Sequence, residues 1–234
     1  MKVFLTIFSS FLINTAFAEN ISPNTLTEKE KADGWVLLFD GKDASKHFRG
    51  YKKEGVPEKW VVEGGAFVRK GGGDVITKET YENFEFQTEW KISKGGNSGI
   101  MFKVLETKGP SYKTGPEAQI LDGANGKESQ KSGWLYELYS TEKDTAKPAG
   151  EWNHFVLKCQ RTPAGTYKCE HWLNGAKYVE YEIGSEDWKA RVAKSKFAKW
   201  EQFGTAESGH ICLQDHGNEV AFRNIKIRVL EPLK

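Results

Sequence analysis

The chain has 234 residues, with 34 Lys and Arg against 32 Asp and Glu, for a formal net charge of +2. Lysines and glutamates are interleaved rather than blocked, the pattern of an ordinary solvated surface, which argues against a nucleic-acid partner. Past the first residues no run approaches the roughly 20 apolar residues of a membrane helix, so no membrane anchor is expected.

Taken in chain order, the first feature is a leader. Lys2 gives a basic start, Val3 to Ile13 is an apolar stretch too short to span a bilayer, and Ala16-Phe17-Ala18 is a small-x-small cleavage signal. Residues 1–18 are therefore expected to be a secretory signal peptide, with the mature chain starting near Glu19 in the periplasm or outside the cell. The cleavage site has no cysteine for a lipid anchor. Residues 19–33 are polar and unpatterned and read as an arm, and 34–234 as a single domain.

Strand patterns dominate from Gly34 onward: GWVLLFD, KWVVEGGAFVRK, DVITKETYENFEFQTEWKIS, GNSGIMFKVLE, PEAQILD, GWLYELYS, EWNHFVLKCQ, TYKCEHWLNG and AKYVEYEI, then a final hairpin. Many short strands, Gly-rich turns and no alternating helices predict an all-β antiparallel sandwich. The exception is 185–200, SEDWKARVAKSKFAKW, where Ser185 can cap a short helical insertion anchored by Trp188, Val192 and Trp200. Cys159 and Cys169 lie symmetrically about Ala164 in a predicted hairpin, so they should face each other. In an oxidising compartment a disulfide is expected there, worth about 2–3 kcal/mol. Cys212 reads as a buried free thiol.

Chemistry-bearing residues cluster in a few places. In PEAQILD the apolar Ala118 and Ile120 are the natural core contacts, which turns Glu117 and Gln119 to the opposite face as an acid/base and amide pair. Asp122 ends the same strand. Glu85, Gln87 and Glu89 alternate likewise and read as a solvent face. Asn97 lies among glycines at a strand entrance, where backbone and ligand can approach closely. His171 shares a face with Cys169 and Leu173, and Trp172 with Glu170. The final hairpin supplies Gln214, Asp215 and His216. It also carries Arg223, in phase with Ile225, Ile227 and Val229, so that its guanidinium must be salt-bridged, displaced by a bulge, or turned into a ligand groove. The competing structural readings are a solvent face for Glu117 and Gln119, a hydrogen-bonded core residue for His171, and a plain turn for 215–218. There is no HExxH, paired CxxC, acidic calcium loop or GxSxG elbow. A divalent metal assembled from distant strands stays open.

The segments GGNSGIMFK, GPEAQILD, PAGEWN, HWLNG and GHICLQDHG…VAFRNIKI occur in one order from about Gly34 to Leu230. That order resembles the 3-keto-disaccharide hydrolase family of exported bacterial proteins. The resemblance implies a concanavalin A-like jelly roll of two curved sheets, a carbohydrate substrate, and Glu117, Gln119, His171, Gln214, His216 and Arg223 on or around the concave sheet. Asn97, Trp172 and Asp122 are further substrate-binding candidates. The implied chemistry is removal of the C2 proton of a 3-keto sugar, expulsion of the glycosidic oxygen from C1, and hydration. His216 or His171 would act as base, Glu117 as acid, and Arg223 with Gln119 at the C3 oxygen, unless a divalent cation polarises the ketone. The rivals are an ordinary jelly-roll glycosidase, which needs two carboxylates, and a non-catalytic sugar-binding module.

Overall fold

The computed structural model describes residues 22–123 and 130–234, so the expected signal peptide lies outside the described residues. The strands are β1 (Val36–Leu37), β2 (Phe48–Gly50), β3 (Trp60–Glu63), β4 (Ala66–Arg69), β5 (Val75–Thr77), β6 (Phe84–Ile92), β7 (Asn97–Val104), β8 (Glu117–Leu121), β9 (Asn153–Arg161), β10 (Tyr167–Leu173), β11 (Ala176–Ile183), β12 (His210–Leu213) and β13 (Val220–Val229). They form an eight-stranded sheet ordered β11-β10-β9-β6-β13-β4-β3, with β1 also on β13, and a five-stranded sheet ordered β2-β5-β12-β7-β8. This is the two-sheet antiparallel sandwich that the strand patterns predict, in the jelly-roll form that the family resemblance implies.

Between the sheets, Phe84, Phe86 and Trp90 of β6 and Phe222, Ile225 and Ile227 of β13 share one core with Ile100 and Phe102 of β7 and Ala118 and Ile120 of β8. Because side chains alternate along a strand, burying these residues turns Asn97 and Gly99 of β7 and Glu117 and Gln119 of β8 to the outer face of the smaller sheet. The phase of β7 and β8 therefore positions the site.

The same alternation fails once, in β13. Phe222 and Ile225 both face the core although two residues separate them, because the register with β6 shifts between Arg223 and Lys226. Asn224 absorbs the extra residue in the left-handed region, at φ 52°. Arg223 is thereby turned to the outer face of the eight-stranded sheet, where its Nε donates to Glu89 Oε2 at 2.6 Å and its guanidinium lies 4.2 Å from the centre of the Trp152 ring. Arg228 pairs with Glu85 along the same ladder. Of the three outcomes open to Arg223 the structure shows the bulge and the salt bridge, and the residue stands away from the cleft where the family resemblance puts it.

Two other segments depart from expectation, and the helical insertion is found where it is predicted. The arm contains a helical turn, α1 (Glu28–Ala32), closed by a capping box between Thr27 and Glu30. It is docked on the domain: Asn24 N donates to Asn224 Oδ1 at 2.5 Å and Asn224 N to Asn24 Oδ1 at 2.8 Å. GWLYELYS is a looped segment rather than a full strand, bridging Ala118 and Tyr139 through Leu135. The predicted insertion divides into α2 (Glu186–Lys194), capped by Ser185, and a 3-10 turn (Lys196–Lys199). Cys159 and Cys169 do face each other in register, with their sulfurs 2.9 Å apart. All three cysteines are buried free thiols here, so the facing pair is present without the bond.

Candidate active site

Glu117, Gln119, Asn97, Gln214 and His216 line one cleft of about 310 Å³ on the outer face of the five-stranded sheet. Pairing of β7 with β8 sets Gly99 opposite Gln119. A Cβ on Gly99 would lie 2.2 Å from Glu117 Oε1, so the missing side chain is the space the carboxylate occupies. Burial pushes the Glu117 pKa up to about 8, against the nearby Lys196 charge, which lowers it. Glu117 is the only carboxylate lining the cleft among the described residues.

An amide chain runs beside it. Gln119 Nε2 donates to Asn97 Oδ1 at 3.4 Å, and Asn97 Nδ2 approaches His216 Nε2 at 3.4 Å. The roles at this contact follow the imidazole tautomer: when Nε2 is unprotonated, Asn97 Nδ2 donates to it. Gln214 is buried, and its Oε1 has no hydrogen-bond partner among the described residues, leaving an acceptor for a substrate hydroxyl.

His216 itself is exposed, and the turn that presents it is fixed from below. Asp215 N donates to Asp74 Oδ1 at 2.8 Å, Gly73 N donates to Asp215 Oδ2 at 2.8 Å, and Arg69 pairs with the Asp215 carboxylate. Ser111 also donates to Asp74, tying in the loop before β8. Burial pushes the Asp74 carboxyl up.

The walls are aromatic: Tyr112, Tyr136, Phe197, Trp200 and Phe203, with Lys196 as the cation of the cleft. Lys196 Nζ donates to the Tyr136 hydroxyl at 2.7 Å and lies 4.0 Å from the centre of that ring. None of these wall residues is identified as a site residue by the sequence patterns. The available signal is the basic-aromatic run KSKFAKW, which also fits a helix propped on the sandwich.

The remaining candidates lie elsewhere. His171 is fully buried between the sheets, its Nδ1 3.1 Å from the Gly133 carbonyl and its Nε2 2.8 Å from the Tyr181 hydroxyl. Burial lowers its pKa to about 4, so it is a neutral core residue and not a group of the cleft. Trp172 alternates with His171 onto the far side of the large sheet, donating to Glu170 at 3.0 Å beneath Lys177. Asp122 accepts from Gly95 N at 2.7 Å, closing the turn into β7, and does not line the cleft. Arg223 lies on the far sheet as described. No group of three or more His, Cys, Asp or Glu with metal-binding geometry occurs among the described residues.

Residues 34–228 match the 3-keto-alpha-glucoside-1,2-lyase-like domain family. The chain is 35% identical over 237 residues to a 3-keto-disaccharide hydrolase of Bacteroides thetaiotaomicron, an alignment that covers 86% of this chain and 80% of that one. Two crystal structures of Parabacteroides distasonis ATCC 8503 proteins, each provisionally described as a glycosyl hydrolase, are also similar. One is 37% identical with a TM-score of 0.81, covering 90% of this chain and all of that one. The other is 28% identical with a TM-score of 0.63, covering 84% and 99%.

Proposed function

Because the chain belongs to the 3-keto-alpha-glucoside-1,2-lyase-like family, we propose that it is an enzyme that cleaves 3-keto-disaccharides by elimination and hydration. The observation that carries this reading is that among the described residues one carboxylate, Glu117, lines the cleft, set among amides and a histidine. Ordinary retaining or inverting hydrolysis uses two carboxylates on the reacting ring. Elimination needs one acid, one base and donors for a developing oxyanion.

The roles follow from environment. A C3 ketone acidifies the C2 hydrogen, and His216 takes that proton on its unprotonated ring nitrogen, released from Asn97 as the substrate enters. Negative charge develops on the C3 oxygen, which the Gln119 amide and the Lys196 ammonium stabilise in place of the distant Arg223. The enolate expels the C1 oxygen, and Glu117, protonated at neutral pH, gives its proton to the departing sugar. Water then adds at C1 while C2 is reprotonated, so one water is consumed and a free 3-keto sugar and a free alcohol are formed.

Incubation with a 3-keto-disaccharide and its unoxidised parent in deuterated water tests this. Cleavage of the keto substrate alone, with deuterium at C2 of the product, is expected. Cleavage of the parent without deuterium would instead support an ordinary glycosidase, and sugar binding without turnover a binding module. The leader in residues 1–18 supports export as part of the same reading, and N-terminal sequencing of the native protein should return a start near Glu19.

A further inference from the structure

One carboxylate near the cleft has no part in the proton transfers above. Asp74, in the loop before β5, is partly buried and does not line the cleft. Its Oδ1 accepts from Asp215 N at 2.8 Å, and its Oδ2 accepts from the hydroxyl of the fully buried Ser111. The bond to Asp215 is returned from the same loop, where Gly73 N donates to Asp215 Oδ2 at 2.8 Å. Gly217 N in turn donates to Asp215 Oδ1 at 3.1 Å. His216 therefore sits between two residues whose backbone N–H groups are both committed to carboxylates. On the other side, Ser111 opens a short turn, Ser111–Lys113, that carries Tyr112 into the cleft wall and leads on to Glu117 at the start of β8. One side chain thus ties the turn of the base to the approach to the acid.

We propose that Asp74 is a positioning residue of the reaction, clamping the His216 turn against the loop that leads to Glu117 and holding a negative charge behind both groups. This rests on the reading that His216 takes the C2 proton. On doing so its neutral imidazole becomes an imidazolium, and a fixed anion nearby stabilises that state without rearrangement. Return of the proton to C2 leaves His216 neutral again, so Asp74 itself exchanges none. Arg69 pairs with Asp215, which leaves the Asp74 charge to act on the cleft. Four groups act electrostatically on or beside Glu117: Lys196 from the 3-10 turn, Asp74, the buried Cys212 thiol of β12, and His216. Burial does most to keep the Glu117 proton in place, and the Asp74 charge adds to it against Lys196.

Two replacements separate the clamp from the charge. Asp74→Asn keeps both bonds, because its carbonyl accepts from Asp215 N and its amide donates to the Ser111 oxygen, and it removes the charge alone. Asp74→Ala removes the bonds as well. Turnover of a 3-keto-disaccharide is expected to fall about 10-fold in D74N and about 10²-fold in D74A, chiefly in kcat. In D74N the alkaline limb of the pH–rate profile should move to lower pH by several tenths of a unit. The NMR titration of the Glu117 carboxyl carbon should move with it. A merely structural brace gives D74N the full rate and an unmoved limb, and that result overturns the proposal, as does full activity of D74A. Failure of the unmodified protein to cleave any keto substrate would overturn the functional reading instead. The Glu117 titration in D74N needs no substrate, and if it is unmoved the Asp74 charge does not reach the cleft and the proposal falls on its own.

Discussion

Replacing Gly99 by alanine isolates the geometry of the carboxylate. The new Cβ would lie 2.2 Å from Glu117 Oε1 and 2.7 Å from its Cγ and Cδ, where ordinary contact begins near 3.4 Å. The carboxylate must recede by about 1 Å, and a displacement of that size at a reacting group costs about 10²-fold in rate. The fold has no corresponding reason to suffer. Gly99 lies inside β7 with no positive φ, so alanine adopts the same backbone and recovers about 0.5–1 kcal/mol of strand preference, offset by the local crowding. Release of free sugar from a 3-keto-disaccharide should therefore fall about 100-fold while the thermal midpoint changes little. The double variant G99A/E117Q should be no slower than E117Q alone, because one carboxylate cannot be lost twice. Near-normal turnover by G99A, or losses that multiply in the double variant, would refute the assignment of Glu117.

Glu117→Gln should cost about 10²–10⁴-fold in rate if Glu117 is the proton donor. The wild-type rate should decline as pH rises through about 8, where that proton is lost. A carboxyl whose folded pKa is raised favours folding fully only below its ordinary range and loses that contribution as pH climbs to the folded value. E117Q should accordingly gain stability over the wild type between pH ~5 and ~8, on the order of a few kcal/mol by denaturant titration. A constant difference across that window would contradict the buried position. Arg223→Ala removes a pair whose side chains are 28% and 24% exposed, so about 1 kcal/mol of stability should be lost with kcat/KM unchanged; a large rate loss would return Arg223 to the site. Non-reducing mass mapping of exported protein should find Cys159 joined to Cys169 and Cys212 free, and three labelled thiols would show that the facing pair stays reduced.

Much of the cleft floor was readable because sheet alternation is rigid. Once Ala118 and Ile120 are taken as core, Glu117 and Gln119 can only face outward, and Asn97, Gln214 and His216 reach the same face from neighbouring strands or their ends. Alternation misleads where one residue is inserted. Phe222 to Ile225 is an odd step, and the asparagine within it is among the side chains that accept the left-handed region. That step, read alone, is enough to turn Arg223 outward. For His171 the residue pattern points to a hydrogen-bonded core residue, as its companions Cys169 and Leu173 are, and that is what the structure shows; only the family resemblance made it a site candidate.

The walls were not readable for a different reason. Their placement depends on long-range backbone contacts, such as Gly204 to Thr114, that no local period announces. KSKFAKW has the pattern of a prop, and only the docked loop shows that Lys196 and Trp200 face the cleft. This division has a functional consequence. Floor side chains are aimed by strand pairing, so changing them disturbs the acid, base and amide chain together. The aromatic wall side chains come from loops whose own backbone is tied elsewhere, so they can change with little effect on the floor, whereas Lys196 acts on Glu117 by its charge and cannot. Replacing Tyr112 or Trp200 should therefore raise KM more than it lowers kcat, with the proton chemistry at Glu117 and His216 held constant.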